Sequence, residues 1–410
     1  MEYGLIGEHL SHSFSKDIHE KFASYRYDLC ELLPDKVEEF LRQRQFRGIN
    51  VTIPYKEKVM AYLDWISSEA KEIGAVNTVV NRDGHLFGYN TDFFGLCALL
   101  DRNHFDLRGK NVLILGTGGT SDTAFAVAKH LGARSVIKVS RAPENCEISY
   151  EDAKNRTDTQ ILINTTPVEM YPQSDDQPIE TDDFPQLEGV VDVIYNPLRT
   201  DLVLSAQERG IPAVGGLYML VAQAVKAAEL FCEHNYNSDV TEWVYREIVS
   251  EKENIVLIGM PGCGKSTVGR VLAQYIDREF VDLDDLITEK TKRTPNEIIR
   301  TDGEEFFREI ETEALKEVST RRGIVLATGG GTVTRYENIR FIRKNGKVIF
   351  LDRPIDEICP TKDRPLSQSR DALLALYQKR LPIYENACDI KVSSGKNAIE
   401  TAGILLEKIR

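Results

Sequence analysis

The stretch Gly259-Met260-Pro261-Gly262-Cys263-Gly264-Lys265-Ser266-Thr267 fits the pattern G-x-x-x-x-G-K-[ST] and follows the apolar run IVLI. Glycines at these places let successive backbone N–H groups turn inward onto phosphate oxygens, and a helix starting near Lys265 adds the positive end of its dipole. In such a loop the lysine reaches the β- and γ-phosphates and the hydroxyl of Ser266 ligates Mg²⁺. A magnesium site also wants carboxylates, and EFVDLDDLI offers Asp282, Asp284 and Asp285 at a strand end. On a strand, the spacing of Asp282 and Asp284 would turn both toward the phosphates. Alternatively, Asp284 or Asp285 caps the helix that LITEK begins. For the phosphoryl acceptor, Arg308, Arg364 and Arg380 carry the planar fork suited to a carboxylate or phosphate. Gly329, Gly330 and Gly331, after another apolar strand, suggest close backbone approach to a ligand.

A second set lies upstream. LGTGGTSDTA places Gly116, Thr117, Gly118 and Gly119 between an apolar strand and a helix-period segment, as a dinucleotide-binding turn would. The next strand, SVIKVS, ends in Ser140-Arg141. An acid there would bind a free ribose 2′-OH; an arginine favours a 2′-phosphate, hence NADP over NAD. Further forward, Ser13 and Ser15 precede a helix that Ser15 could cap. Thr52 and Lys56 flank a proline that breaks a strand, and Asn77, Asn90 and Asp92 sit at further element ends. Lys56 and Asp92, offered from separate loops, would make an acid/base pair.

These groups need elements to hold them. YGLIG, GINVTIP and AVNTVVNRDG read as strands of a first α/β region. From KNVLILGTGG onward, strand, turn, helix and strand form a βαβ unit, which QILINTTP and GVVDVIYNP continue as buried parallel strands. GGLYMLVAQAVKAAELF is a strongly apolar helix, and NIVLIGMPGCGKST opens a third strand–loop–helix region.

The chain has 410 residues, too many for one ordinary core at about 150 per domain. Its net charge of −13 argues against nucleic acid or an anionic membrane as partner, both being polyanions, while leaving local arginines free to bind small anions. The seven cysteines are scattered and form no C-x-x-C pair, which fits reduced thiols in a cytoplasm. No apolar run reaches roughly 18 residues, and no basic segment followed by an apolar core marks a signal peptide at the start.

Taken in order across residues 254–410, the phosphate loop, D-x-D, FR-x-x-E, GGG, RPL and R-x-P-x-Y resemble shikimate kinase. The resemblance implies that Asp282 holds the Mg²⁺ shell and Asp284 binds the acceptor hydroxyls and serves as candidate base. It also implies that Arg308, Arg380 and the three glycines hold shikimate, and that Arg364 closes from a lid onto the transferring phosphate. CPTKDRPLS is shorter than the usual lid. Over about residues 1–245, HS-x-S, NVT-x-P-x-K, GA-x-NT, G-x-NTD, GTGG, N-x-T-x-x-x-M, D-x-x-YNP and GG-x-x-ML-x-x-Q resemble shikimate dehydrogenase. That likeness implies shikimate on Ser13, Ser15, Thr52, Asn77, Asp92 and Gln223, with Lys56 and Asp92 moving the proton at the C3 oxygen. NADP(H) would face residues 116–119, Ser140, Arg141, Thr165 and Gly216, with Tyr195 near nicotinamide and substrate. Glu8, His9, Lys16 and Glu169 depart from the usual pattern; a carboxylate at 169 would weaken NADP binding or reshape its loop.

The expected whole is α/β throughout. A substrate lobe takes residues 1–92 plus 217–248, a Rossmann lobe 93–216, and a P-loop kinase 254–410. The expected activity is bifunctional: NADPH-dependent reduction of 3-dehydroshikimate, then ATP-dependent phosphorylation of shikimate. A dehydrogenase that also oxidises quinate, or a shikimate-sensing protein with dead sites, are the alternatives. Loss of Lys56, Asp92, Lys265 or Asp284 would mark the last, and all four are present.

Overall fold

The computed structural model describes residues 1–10, 13–144, 146–171, 177–358 and 370–409. The chain divides into two compact units, Met1–Val249 and Ser250–Arg410.

The first unit holds two six-stranded sheets. The strands of the first are β1 (Tyr3–Gly7), β2 (Tyr27–Glu31), β3 (Gly48–Val51), β4 (Trp65–Ile66), β5 (Thr78–Arg82) and β6 (His85–Tyr89), in the order β2-β1-β3-β5-β6-β4. β1, β2 and β3 run parallel; the hairpin β5–β6 joins antiparallel to β3. The second sheet is wholly parallel: β7 (Asn111–Leu115), β8 (Ser135–Ser140), β9 (Ile148–Ser149), β10 (Ile161–Asn164), β11 (Gly189–Asp192) and β12 (Ala213–Val214). Its order is β12-β11-β10-β7-β8-β9, so the winding reverses between β7 and β10. In sheets of this order the ligand crevice lies at that switch point, beyond the strands' carboxyl ends. β10 and β11 are buried throughout, as strands covered on both faces by helices must be.

The apolar helix Leu217–Cys232 packs along helix Thr91–Arg102 and against helix Ser15–Phe22. It therefore returns to the first sheet's side of the crevice. Ser15 does not cap its helix as the sequence suggested. It is the first helical residue, and Phe14 occupies the cap position without a side-chain bond. Ser13 Oγ instead accepts the Ser15 N–H at 3.2 Å, because a hydroxyl two residues earlier reaches that donor.

The second unit has one parallel sheet of β13 (Asn254–Ile258), β14 (Phe280–Asp282), β15 (Val325–Ala327), β16 (Gly346–Asp352) and β17 (Ile390–Ser393), ordered β14-β15-β13-β16-β17. β13 is fully buried between β15 and β16, and its carboxyl end feeds the phosphate loop into helix Lys265–Tyr275. The aspartates depart from both sequence readings. β14 stops at Asp282, which is itself the cap of helix Leu283–Thr291, its Oδ1 accepting the Asp284 N–H at 3.0 Å. Asp284 and Asp285 lie in the helix's first turn, where acids suit the dipole.

Candidate active sites in two units

In the first unit, Lys56 Nζ donates to Asp92 Oδ2 at 2.7 Å, with the two side chains only 16% and 13% exposed. Lys56 lies beyond β3 and Asp92 in the first turn of helix Thr91–Arg102, whose cap Asn90 accepts the Phe93 N–H at 3.1 Å. Asn77 Oδ1 accepts the Thr91 N–H at 2.7 Å, which fixes the amide plane and leaves its nitrogen as donor. Thr91 Oγ1 stands 3.2 Å from both Asn77 Oδ1 and Gln223 Oε1, so the returning helix is locked to the same cluster. Behind it runs a buried polar chain. Tyr27 donates to Asn50 Oδ1 at 2.7 Å, and Asn50 Nδ2 donates to Thr78 Oγ1 at 3.0 Å, next to Thr91 Oγ1 at 2.9 Å. Ser13 Oγ donates to Ser15 Oγ at 3.1 Å, and the ring of Tyr195 packs 5.1 Å from that of Phe14 between the two serines. Thr52 follows β3 and is half-buried, its N–H on the Ile6 carbonyl at 3.0 Å.

Across the crevice, Gly116 has φ of 106°, and a Cβ there would stand 2.8 Å from Thr165 Oγ1, so the glycine turn and the end of β10 nearly touch. Thr165 Oγ1 donates to the Leu115 carbonyl at 2.6 Å. Thr117 and Gly118 are exposed, and a Cβ at Gly118 would meet nothing, leaving room for a diphosphate at the start of helix Gly119–His130. Ser140 ends β8 and Arg141 follows it, exposed, close enough to Tyr150 to act on its hydroxyl electrostatically. Gly216 precedes the returning helix, with its N–H on the Ile194 carbonyl at 2.8 Å. Asp192, fully buried at the end of β11, accepts from Asn164, Thr200 and the Ile194 N–H; burial raises its pKa to about 6 against those bonds. Glu169 is buried, and its carboxylate accepts the N–H groups of Asp201 and Leu202 at the start of helix Asp201–Glu208.

In the second unit Gly259, Gly262 and Gly264 hold φ of 144°, 83° and 103°, as a loop curling its N–H groups inward requires. Lys265 is buried inside that curl, its Nζ donating to the carbonyls of Gly259 at 2.9 Å and Met260 at 3.0 Å. Cys263 is buried, Ser266 half-buried and Thr267 exposed. Next to the loop, a Cβ on Gly330 would stand 2.6 Å from Pro261 Cδ, and one on Gly331 only 2.1 Å from Arg308 Nη2. Arg308, on helix Glu304–Val318, donates to Glu311 Oε2 at 2.6 Å and Glu304 Oε1 at 3.0 Å. Arg380 donates to the Gly330 carbonyl at 3.0 Å, and Tyr384, one helical turn on, donates to the same oxygen. Asp284 Oδ1 would stand 3.3 Å from a Cβ on Gly329. Its side chain is exposed, yet the protein packed around it partly desolvates the carboxyl. That desolvation first, then the charges of Asp282 and Glu311, raises its pKa to about 6 against the pull of Lys265. Arg364 lies outside the described residues.

Sequence reasoning passed over several members of these clusters. Glu311 is fully buried, with Thr332 Oγ1 donating to its other oxygen at 2.6 Å. Its spacing of three from Arg308 on one helix was the available signal. Thr91 and Tyr384 likewise stood inside quoted motifs but carry their contacts only through residues far away in the chain.

The first unit is thus a two-lobed dinucleotide-dependent oxidoreductase, and the second a P-loop phosphotransferase. Comparison with known proteins sharpens both. The family model of the shikimate dehydrogenase substrate binding domain matches residues 5–79, and that of shikimate kinase matches residues 261–410. A shikimate dehydrogenase (NADP(+)) of Clostridium beijerinckii is 38% identical over 259 residues, covering 59% of this chain and 96% of the relative. Among solved structures, shikimate dehydrogenase 1 from Peptoclostridium difficile is 35% identical with a TM-score of 0.57, over 60% of this chain and 98% of that one. Shikimate 5-dehydrogenase from Thermus thermophilus, in complex with NADP(H) and shikimate, is 30% identical with a TM-score of 0.54, over 60% and 99%. The chain belongs to the shikimate dehydrogenase family through its first unit and carries a shikimate kinase domain in its second. No helix among the described residues is long and apolar enough to cross a membrane.

Proposed function

We propose that the first unit reduces 3-dehydroshikimate to shikimate with NADPH and that the second phosphorylates shikimate with ATP, so that one unit's product is the other's acceptor. The observation that carries the first step is the Lys56–Asp92 pair, 2.7 Å apart. NADPH supplies the hydride. Lys56, as ammonium, stabilises the alkoxide forming at C3 and donates its proton to that oxygen; Asp92 orients the ammonium and accepts from the substrate hydroxyl. Ser13, Ser15, Thr52, Asn77 and Gln223 orient the ring, and Tyr195 closes the side toward the nicotinamide. Residues 116–119 would hold the diphosphate, Ser140 and Arg141 the 2′-phosphate, and Thr165 and Gly216 the remainder.

In the kinase unit, Arg308, Arg380 and the backbone of Gly329, Gly330 and Gly331 hold the shikimate carboxylate and ring, and Asp284 accepts the proton of the attacking hydroxyl. Residues 259–267 cradle ATP, and Lys265 moves onto its β- and γ-phosphates. Ser266 and Asp282 would hold Mg²⁺, which neutralises phosphate charge; Asp282 keeps its second oxygen for this after capping its helix. Working lobe limits are 1–92 plus 217–248, 93–216 and 254–410. The test is a coupled assay from 3-dehydroshikimate, NADPH and ATP, with shikimate and shikimate 3-phosphate followed separately. Formation of only one product, or of neither, would refute the bifunctional reading.

A further inference from the structure

Glu169 holds φ of 74°, the left-handed region that glycine enters freely and a side-chain-bearing residue enters only under constraint. It is also 1% exposed, so its carboxylate is buried as well. One contact compensates both. Its Oε1 accepts the Leu202 N–H at 3.2 Å and its Oε2 accepts the Asp201 N–H. These are the first donors of helix Asp201–Glu208, which no intrahelical carbonyl serves and whose dipole favours an anion. Thr200 already caps this helix, its Oγ1 accepting the Val203 N–H at 3.3 Å and donating to Asp192 Oδ2 at 2.8 Å. The helix start is therefore doubly held, and capping alone does not call for Glu169.

What Glu169 adds is a tie to the turn that carries it. That turn leaves β10 through Thr165, which borders Gly116 at the switch point. Two residues beyond Glu169, the Tyr171 N–H donates to the Asn196 carbonyl at 3.0 Å, beside Tyr195. At its near end the turn is pinned by Asn164, whose Oδ1 accepts the Thr166 N–H at 3.0 Å. The residues between, including exposed Met170, run from the switch point toward Asn196, and the Glu169 carboxylate ties the middle of that stretch to helix Asp201–Glu208.

We propose that Glu169 is a positioning residue for the cofactor: it latches the turn 165–171 to helix Asp201–Glu208 and so fixes the wall against which the nicotinamide half of the dinucleotide lies. The proposal deepens, and rests on, the reading of the crevice as a dinucleotide site. Glu169→Gly separates a latch from a mere fold contact, because glycine relieves the backbone while removing the carboxylate. NADPH affinity of the full chain is read from the emission of bound NADPH, and steady-state constants are taken for both substrates. Glu169→Gly and Glu169→Ala should both raise the NADPH Kd and KM about tenfold, as loss of charged hydrogen bonds does. The KM for 3-dehydroshikimate and the kinase rate should stay within about twofold, and Glu169→Gln, keeping one acceptor oxygen, should recover part of the loss. Wild-type NADPH affinity in Glu169→Gly would overturn the latch. A wild-type chain that binds no NADPH would overturn the dinucleotide reading itself.

Discussion

Lys56 and Asp92 are 36 residues apart in the chain and share one hydrogen bond. Replacing Lys56 by Ala removes the proton donor and leaves Asp92 half-buried without its cation. Dehydrogenation should fall by about 10²–10⁴-fold in kcat, the usual worth of a positioned acid, while phosphorylation of added shikimate is unchanged. Lys265→Ala should show the reverse in the same two assays. His19 allows a different test. It is fully buried, stacked 4.0 Å from Tyr27, with Nδ1 2.8 Å from the Tyr25 hydroxyl, and burial lowers its pKa to about 3. The unfolded chain takes up that proton below about pH 6.5, the native one only near 3. Stability is therefore held above pH 6.5 and lost as pH falls, by about 1.4 kcal/mol per unit. Urea unfolding across pH 4–7 should have a limb shallower by about one proton in His19→Gln.

At the scale of elements, both sites depend on how closely backbones approach. Helix Thr91–Arg102 meets helix Leu217–Cys232 at Gly95, where a Cβ would lie 2.6 Å from the Met219 carbonyl and 3.0 Å from Gln223 Cβ. Gly95→Val should destabilise the first unit by about 1–3 kcal/mol and raise the KM for 3-dehydroshikimate more than that for NADPH, since the bond between Thr91 and Gln223 opens. In the kinase unit, Gly331→Ala should push the Arg308 guanidinium aside. The KM for shikimate should then rise, with little change in that for ATP, in initial-rate measurements.

For the whole molecule, the two units can be watched separately because both tryptophans, Trp65 and Trp243, lie in Met1–Val249. Tryptophan emission during heating reports the first unit. Saturating NADPH should raise that transition, by about 2.7 kcal/mol of stability at a hundredfold excess over Kd, and ATP should not move it. A shift with ATP alone would mean that the units' ligand sites are coupled.

The strands, the two glycine-rich turns and the chemistry-bearing residues were legible in the chain because periodicity and loop chemistry are local. The spacing of Arg308 and Glu311 carries a signal of the same local kind. The chain offered Lys56 and Asp92 as an acid/base pair, but the bond between them, like the meeting of Thr91 with Gln223 and of Arg380 and Tyr384 with Gly330, was not legible in its geometry. Each joins elements 36 to 132 residues apart, and only sheet order and helix packing bring them within hydrogen-bond range. Local readings also failed where two local solutions competed. Ser15 and Asp284 were both plausible caps, yet Ser13 and Asp282 took the bonds. Glu169 carries the same lesson furthest: from the chain its carboxylate reads as weakening NADP binding or reshaping its loop, and only the fold sets the first N–H groups of helix Asp201–Glu208 against it. Sequence thus determines which groups and turns exist; packing decides which charges meet a partner, because burial and dipoles are properties of the assembled whole.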